Sequence, residues 1–354
     1  MNKLIEILKE EKSIPVDKFF NLALYDKKFG YYMKKNPFGK SGDYITSPLI
    51  SNLFGEMIAI WCLSFWEHLG KPKKILLVEL GPGDGSLSFN LLNTFKKFNH
   101  FYQCLDIKLL EKSNKLKKIQ KNKIKNKKVK WIKKINELKK GPIIFLSNEF
   151  FDSLAIKQIL KKKESFFERY VTLGKEGKIK FLYKKANKNL IKSLKQLNLT
   201  YKNNIIEYPA DAIKYLNIIA KKINKYGGGL LTFDYGSNQA KRKDTLQSVR
   251  KHKYFNIFSD PSNADITSHI NYKLFSKILK NKKLNVKKIV TQNEFLQKLG
   301  IIERANIISQ EVSFKEKINI YYRLKRILDY KGMGGLFKVL FAQKKGTKFS
   351  LGFL

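Results

Sequence analysis

Between about residues 74 and 235, short apolar runs bounded by turn residues alternate with longer stretches whose apolar positions recur at helical spacing. The runs are "KILLVEL" (74–80), "DIKLLE" (106–111), "KVKWI" (128–132), "PIIFLSN" (142–148) and "GLLTFDY" (229–235). Near-continuous apolar runs mark strands buried on both faces, and the helical stretches between them supply the covering layers. The pattern predicts an α/β fold: a Rossmann-like, mostly parallel sheet with helices on both faces. Open sheets of this kind bind ligands outside the carboxyl ends of their strands. A further strand is expected near "LFKVLFAQ" (336–343), and a hairpin over about 166–185 turning at Gly174 or Gly177.

The amino-terminal part has another texture. A turn-rich segment, 29–51, holds Gly30, Gly39, Gly42, Pro37 and Pro48, while Tyr31, Tyr32, Phe38 and Tyr44 interleave with them. Interleaved aromatics favour an ordered functional loop over a disordered one. The next stretch, 50–70, is apolar on most faces and reads as a buried helix stopped by Gly70 and Pro72. The expected organisation is an amino-terminal helical and lid region, 1–70, followed by the sheet domain, 71–354, interrupted by the hairpin and by an inserted segment at 237–271.

Composition narrows the function. No apolar run approaches the roughly 18 residues that a membrane span requires. Two cysteines, Cys62 and Cys104, lie far apart and suggest neither a disulfide framework nor a zinc site, so no metal is expected. Glu6, Glu10 and Glu11 near the amino end fit neither a secretory nor a transit peptide, and the expected compartment is the cytoplasm. The formal net charge of +43 would suit nucleic acid, but only six of the 72 basic residues are arginines. Arginine is the side chain suited to bidentate phosphate and base recognition, so no specific nucleic-acid partner is expected.

The chemistry concentrates in "VELGPGDGSLS" (78–88). A phosphate-binding P-loop would need Lys-Ser or Lys-Thr after its last glycine, and neither occurs. A dinucleotide fingerprint would place its third glycine at position 86, where Ser86 stands. What remains is Glu79, Gly81, Gly83 and Gly85 in the spacing typical of S-adenosylmethionine-dependent methyltransferases. That cofactor carries a sulfonium and an ammonium, which Glu79 would favour, and bare glycine backbone permits close approach. The next strand should end in an acid for the ribose hydroxyls, and Glu111 stands there.

With these residues in hand the chain resembles a specific family: the NDUFAF7/MidA-like methyltransferases, associated with complex I assembly. The resembling motifs run nearly end to end: "FGYY", "SGDYITSP", "NLFGE", "VELGPGDGSL", "LLEKSNKLKKIQ", "NEFFDSL", "FDYG", "DTLQSVRKH", "ADITSHINY", "TQNEFLQKLG" and "MGGLFKVL". The resemblance implies a class I methyltransferase fold, S-adenosylmethionine as cofactor and a protein substrate. For mitochondrial members it implies arginine methylation of a respiratory complex I subunit. The chain departs from the family pattern at Leu49, usually Glu, at Lys27, usually Pro, and at Ser262, usually Gly.

An arginine acceptor is protonated, so its transfer benefits from carboxylates that grip the guanidinium and take up its proton. Glu149 is the first candidate and Asp152 the second, though Asp152 also suits a cap on a following helix. Asn148 offers an amide to the cofactor. Asp234 and Tyr235 follow the fifth strand as candidate substrate contacts. In the amino-terminal loop, Thr46 and Ser47 are assigned to the cofactor, and Asp43 and Tyr44 to the substrate. Gln247, Arg250, His252, Asp265 and His269 form a polar set read as substrate docking. Two other functions compete: a cofactor-binding assembly factor with little catalysis, and a nucleic-acid methyltransferase. The latter lacks the Asn/Asp-Pro-Pro-Tyr/Phe signature, since "NEFF" occupies that place.

Overall fold

All five apolar runs are strands, and four of the five junctions the sheet needs are parallel. A computed structural model describes residues 2–39, 42–200, 205–238 and 244–353. Ser41, and residues 239–243 of the expected inserted segment, lie outside the described residues. The strands are β1 (Ile75–Leu80), β2 (Leu105–Leu110), β3 (Val129–Ile132), β4 (Ile143–Asn148) and β5 (Gly228–Ser237), with β6 (Phe337–Lys344) as the carboxyl-terminal strand. The order runs β6-β5-β4-β1-β2-β3, with every neighbouring pair parallel except β5 and β6. Two short strands, Leu284–Val286 and Val290–Thr291, pair with β6. Every residue of β1 is buried, as a central strand covered on both faces requires.

The order reverses beside β1. The chain proceeds from β1 outward to β2 and β3, then returns to place β4 on the other side of β1. Crossovers leaving in opposite directions open a crevice at the carboxyl end of that strand. The glycine turn after β1 therefore stands at the switch point.

Backbone contacts divide the chain into two units. The sheet unit comprises Ile45–Phe150, Leu216–Asn238 and Phe275–Leu354; the other comprises Met1–Tyr44, Phe151–Tyr215 and Gln239–Leu274. Helix α1 (Asn52–His68) belongs to the sheet unit, so the division falls at residue 45 where the sequence suggested 70. The physical reason is its apolar girth: Phe54, Trp61 and Phe65 enter the same core as Phe233 and Phe341, with Trp61 and Phe341 ring centroids 4.9 Å apart. Helices α2 (Ser86–Phe95), α3 (Asn114–Ile124) and α4 (Phe314–Leu328) complete the parts used below. No helix among the described residues is long and apolar enough to cross a membrane.

The other unit has its own core, built from Leu4, Leu8, Phe19, Phe20, Tyr31, Val171 and Ile266 among others. Its larger sheet centres on Ser165–Leu173, which pairs antiparallel with Ile179–Lys185, the hairpin expected at 166–185, and with Ser13–Pro15 and Lys157–Lys162. Ile205–Tyr208 adds to the edge of Lys157–Lys162. A smaller sheet places Gln247–Arg250 between Lys253–Phe255 and Asp265–Thr267. The segments read from the sequence as interruptions of one domain thus bury a second apolar core. No helix follows Asp152; a turn leads into the strand at Lys157, so the cap reading of that residue does not hold.

Candidate functional site

The chain leaves β1 at Leu80 and passes through Gly81, Gly83 and Gly85 in left-handed conformations, with φ of 63°, 57° and 85°, before α2 begins at Ser86. Side chains rarely tolerate these angles, so the turn itself demands glycine. At Gly81 the space is also taken: a Cβ there would lie 2.8 Å from Cδ2 of Phe150. The Gly81 N–H donates to the Leu110 carbonyl at 3.1 Å, tying the turn to the end of β2. The Asp84 carboxylate accepts from the Ser86 N–H at 3.0 Å and the Ser86 hydroxyl at 2.9 Å, and pairs with Lys123 of α3.

Glu79 sits one residue before the end of β1 and is 2% exposed. The Ser88 hydroxyl of α2 donates to its Oε2. Burial pushes its carboxyl up to about 7; the Ser88 hydrogen bond opposes the rise, while the charges of Asp84 and Glu111 add to it. Among the described residues Glu79 forms no salt bridge. Glu111 directly follows β2, where it accepts from the Ser113 N–H at 2.7 Å and from Nε2 of Gln120 at 3.0 Å. Burial raises its carboxyl above the ordinary value, against these hydrogen bonds.

Gln120 joins the parts of this site. Its Nε2 also donates to the Gly83 carbonyl at 2.7 Å, and its Oε1 accepts from Nε1 of Trp131 at 2.7 Å. One side chain on α3 thereby holds the glycine turn and the acid after β2. The motif "LLEKSNKLKKIQ" ends on this glutamine, but no role is read for it from the sequence.

The remaining candidates of the sheet unit lie at several places. Glu149 follows β4 with a φ of 54°, strained for a residue with a side chain, and its N–H donates to the Phe233 carbonyl at 2.9 Å. Nδ2 of Asn148 donates to Oε1 of Glu149 at 2.9 Å. Asp234 is buried on β5, where its Oδ1 accepts from the Tyr235 N–H at 3.0 Å; the Tyr235 ring stands 5.7 Å from Phe337. Thr46 precedes the short helix Ser47–Ile50, and the buried Ser47 hydroxyl donates to Oε1 of Gln292 at 3.2 Å.

In the other unit, the structure brings the buried Asp43 and Asp265 and the half-buried Tyr44 into one cluster through Tyr31 and Tyr32, to which the sequence assigned no role. Asp43 accepts from the Tyr31 hydroxyl and from Lys35, each at 2.7 Å, and from the Lys251 N–H at 3.0 Å. Burial opposes its ionisation, but these hydrogen bonds outweigh it and hold the carboxyl below its ordinary value. The Tyr32 hydroxyl accepts from Tyr44 at 3.1 Å and donates to Asp265 at 2.8 Å. Burial first, and the neighbouring Asp152 second, push the Asp265 carboxyl well up. Gln247 donates to Thr267 at 3.3 Å and Arg250 pairs with Asp260 at 3.1 Å. His252 and His269 are held through backbone N–H groups, to the Asp43 carbonyl and the Thr245 hydroxyl respectively.

A protein family described as "Putative S-adenosyl-L-methionine-dependent methyltransferase" matches residues 57–290 of this chain. The chain belongs to that family. The relative "Protein arginine methyltransferase NDUFAF7, mitochondrial" of Xenopus tropicalis is 30% identical over 367 aligned residues, covering 96% of this chain and 84% of the relative. Its Homo sapiens namesake is 27% identical, covering 95% and 81%. A solved Burkholderia thailandensis structure bound to S-adenosyl-homocysteine shares the fold, with a TM-score of 0.82 at 20% identity, over 98% of this chain and 92% of that one.

The residues after β1 fit the family's cofactor, S-adenosylmethionine. A buried carboxylate without a cationic partner suits a cationic ligand, and among the described residues Glu79 has none. Glu111, directly after the adjacent strand, is a second buried carboxylate of the kind that accepts from hydroxyls. Oδ1 of Asn148, at the end of β4, is buried and without a hydrogen bond among the described residues. Left so, such an atom costs roughly 1–3 kcal/mol, and a donor on a ligand would satisfy it.

Proposed function

We propose that the protein transfers a methyl group from S-adenosylmethionine to an arginine side chain of a protein, a respiratory complex I subunit or a related partner. The observation that carries the reading is the buried Glu79 beside a glycine turn that Gln120 fastens to Glu111. The names of the relatives support arginine as the acceptor. When bound, the cofactor supplies an electrophilic methyl on a sulfonium. Glu79 holds the cofactor's positive end and Glu111 its ribose hydroxyls, while Asn148 contributes an amide. Glu149 orients the guanidinium and accepts the proton that its nitrogen releases on methylation. Asp152 is the reserve candidate for that role. Asp43, Tyr44, Asp234, Tyr235, Gln247, Arg250, His252, Asp265 and His269 are proposed contacts of the protein substrate, and Thr46 and Ser47 of the cofactor. Two free thiols, one of them buried, agree with a cytoplasmic setting.

The test incubates the protein and a lysate with isotopically labelled S-adenosylmethionine, followed by mass spectrometry of labelled proteins. Label on arginine, lost in Glu149→Gln while cofactor affinity is kept, supports the reading. Label confined to RNA, or on lysine alone, overturns it.

A further inference from the structure

Three carboxylates stand around the glycine turn, and two of them have several stabilising partners. Asp84 pairs with Lys123 and accepts from both the N–H and the hydroxyl of Ser86. Glu111 accepts from the Ser113 N–H and from Gln120, and the charge of Lys117 favours its ionised form. Glu79 differs. The residues that pair with it across the sheet, Leu109 of β2 and Leu146 of β4, are apolar and buried. The charges that bear on it, those of Asp84 and Glu111, share its sign. Among the described residues, the side-chain donor that meets it is the hydroxyl of Ser88, itself buried in the first turn of α2.

We propose that Ser88 is a positioning residue for cofactor uptake: its hydroxyl orients the Glu79 carboxyl and favours its ionised form, so that S-adenosylmethionine meets a carboxylate there. The inference rests on the reading of Glu79 as the group that holds the cofactor's positive end. Ser88 acts through Glu79 and needs no contact of its own with the cofactor. A hydrogen bond donated to an ionised acceptor is stronger than one donated to a neutral acceptor, and in a buried place no water replaces it. Without the hydroxyl, Glu79 faces the charges of Asp84 and Glu111 with no donor to offset them. It then holds its proton more tightly, and the proton must leave before a cation can be paired. One serine at the start of α2 thereby sets the pH at which the cofactor is taken up.

The test titrates the full chain with S-adenosylmethionine in a calorimeter between about pH 5.5 and 8.5, in buffers of different ionisation enthalpy. In the wild type the affinity should rise with pH and level off above about pH 7. Ser88→Ala should move that break upward by about one pH unit, lower the affinity at neutral pH about 5-fold and raise the number of protons released on binding there. Near the alkaline end of the range its affinity should return towards that of the wild type. Thr94→Ala is the control: this hydroxyl of the same helix donates to the Asn90 carbonyl at 3.2 Å, and its loss should leave the break in place. Far-UV circular dichroism checks that each variant keeps its fold. Glu79→Gln, measured alongside, separates the two readings. If it keeps the wild-type pH profile, Glu79 does not hold the cofactor and both readings fall. If it flattens the profile while Ser88→Ala leaves the break in place, or weakens binding equally at every pH, the inference about Ser88 alone falls. A break moved as far by Thr94→Ala also overturns it, since loosening of α2 would then be the cause.

Discussion

Glu79 carries a pH dependence of definite sign. Its carboxyl in the folded chain titrates at about 7, above its ordinary 4.5, because burial disfavours the charge. The folded state therefore holds the proton more tightly than the unfolded state. That contribution to stability is full below the ordinary value and is lost as pH rises through about 7. Urea midpoints of the wild type should fall between about pH 5 and 8, and those of Glu79→Gln should fall less, by up to ~3 kcal/mol in stability. A bound cation reverses the preference. Affinity for S-adenosylmethionine should rise with pH through about 7, and calorimetry in buffers of different ionisation enthalpy should detect a released proton. Glu79→Gln should lose that pH dependence and about 10-fold or more of the affinity. Gly81 allows a cleaner comparison: both Gly81 and Gly70 are left-handed, but an added Cβ meets Phe150 at 2.8 Å only at Gly81, with nothing within 4 Å at Gly70. Chemical denaturation should show Gly81→Ala costing about 1 kcal/mol or more beyond Gly70→Ala. The left-handed glycines were legible in the sequence because few residue types satisfy such a turn. Gln120 was not, because its importance lies in three partners from separate segments.

At the scale of elements, α3 acts as the clamp of the glycine turn. Its start is capped by Ser113, whose hydroxyl accepts from the Leu116 N–H at 3.2 Å, so Ser113→Ala should cost about 1 kcal/mol. Gln120→Leu removes more. It leaves Glu111, the Gly83 carbonyl and the Trp131 N–H each short of a partner, and roughly 2–4 kcal/mol of stability should go with them. Denaturation followed by far-UV circular dichroism checks the loss, and calorimetry should show weaker binding of S-adenosylmethionine alongside it. Buried parallel strands announced themselves as apolar runs, and β1 to β5 all lie where those runs predict. Lys157–Lys162, Ile205–Tyr208 and Gln247–Arg250 did not, since they are short and carry charged or polar residues. Some of their polar groups have distant partners: the buried Gln158 accepts from the buried Arg169 of Ser165–Leu173, which also pairs with Asp244, and Glu207 accepts from Gln158 and Thr245. Hydropathy cannot register a buried charge whose partner is distant in sequence.

For the whole molecule, the excess of positive charge is dispersed lysine, with six arginines along 354 residues. Any association with duplex DNA should be sequence-independent and should vanish between about 0.05 and 0.2 M salt in a filter-binding titration. Retention above that range would point to a specific nucleic-acid surface. The sequence by itself determined the α/β class, the glycine turn after the first strand, the acids at the ends of two strands and the cofactor they suit. Those features rest on periodicity, backbone sterics and charge, all readable within a short window. Only the tertiary structure decided that Leu4, Phe19 and Val171 pack in a core apart from that of the sheet, that burial pushes the Glu79 carboxyl up to about 7, and that α4 carries a second apolar face. It alone joined Tyr32 to Asp265, 233 residues apart. Burial and long-range pairing depend on which distant segments pack together, and no local pattern of residues encodes that choice.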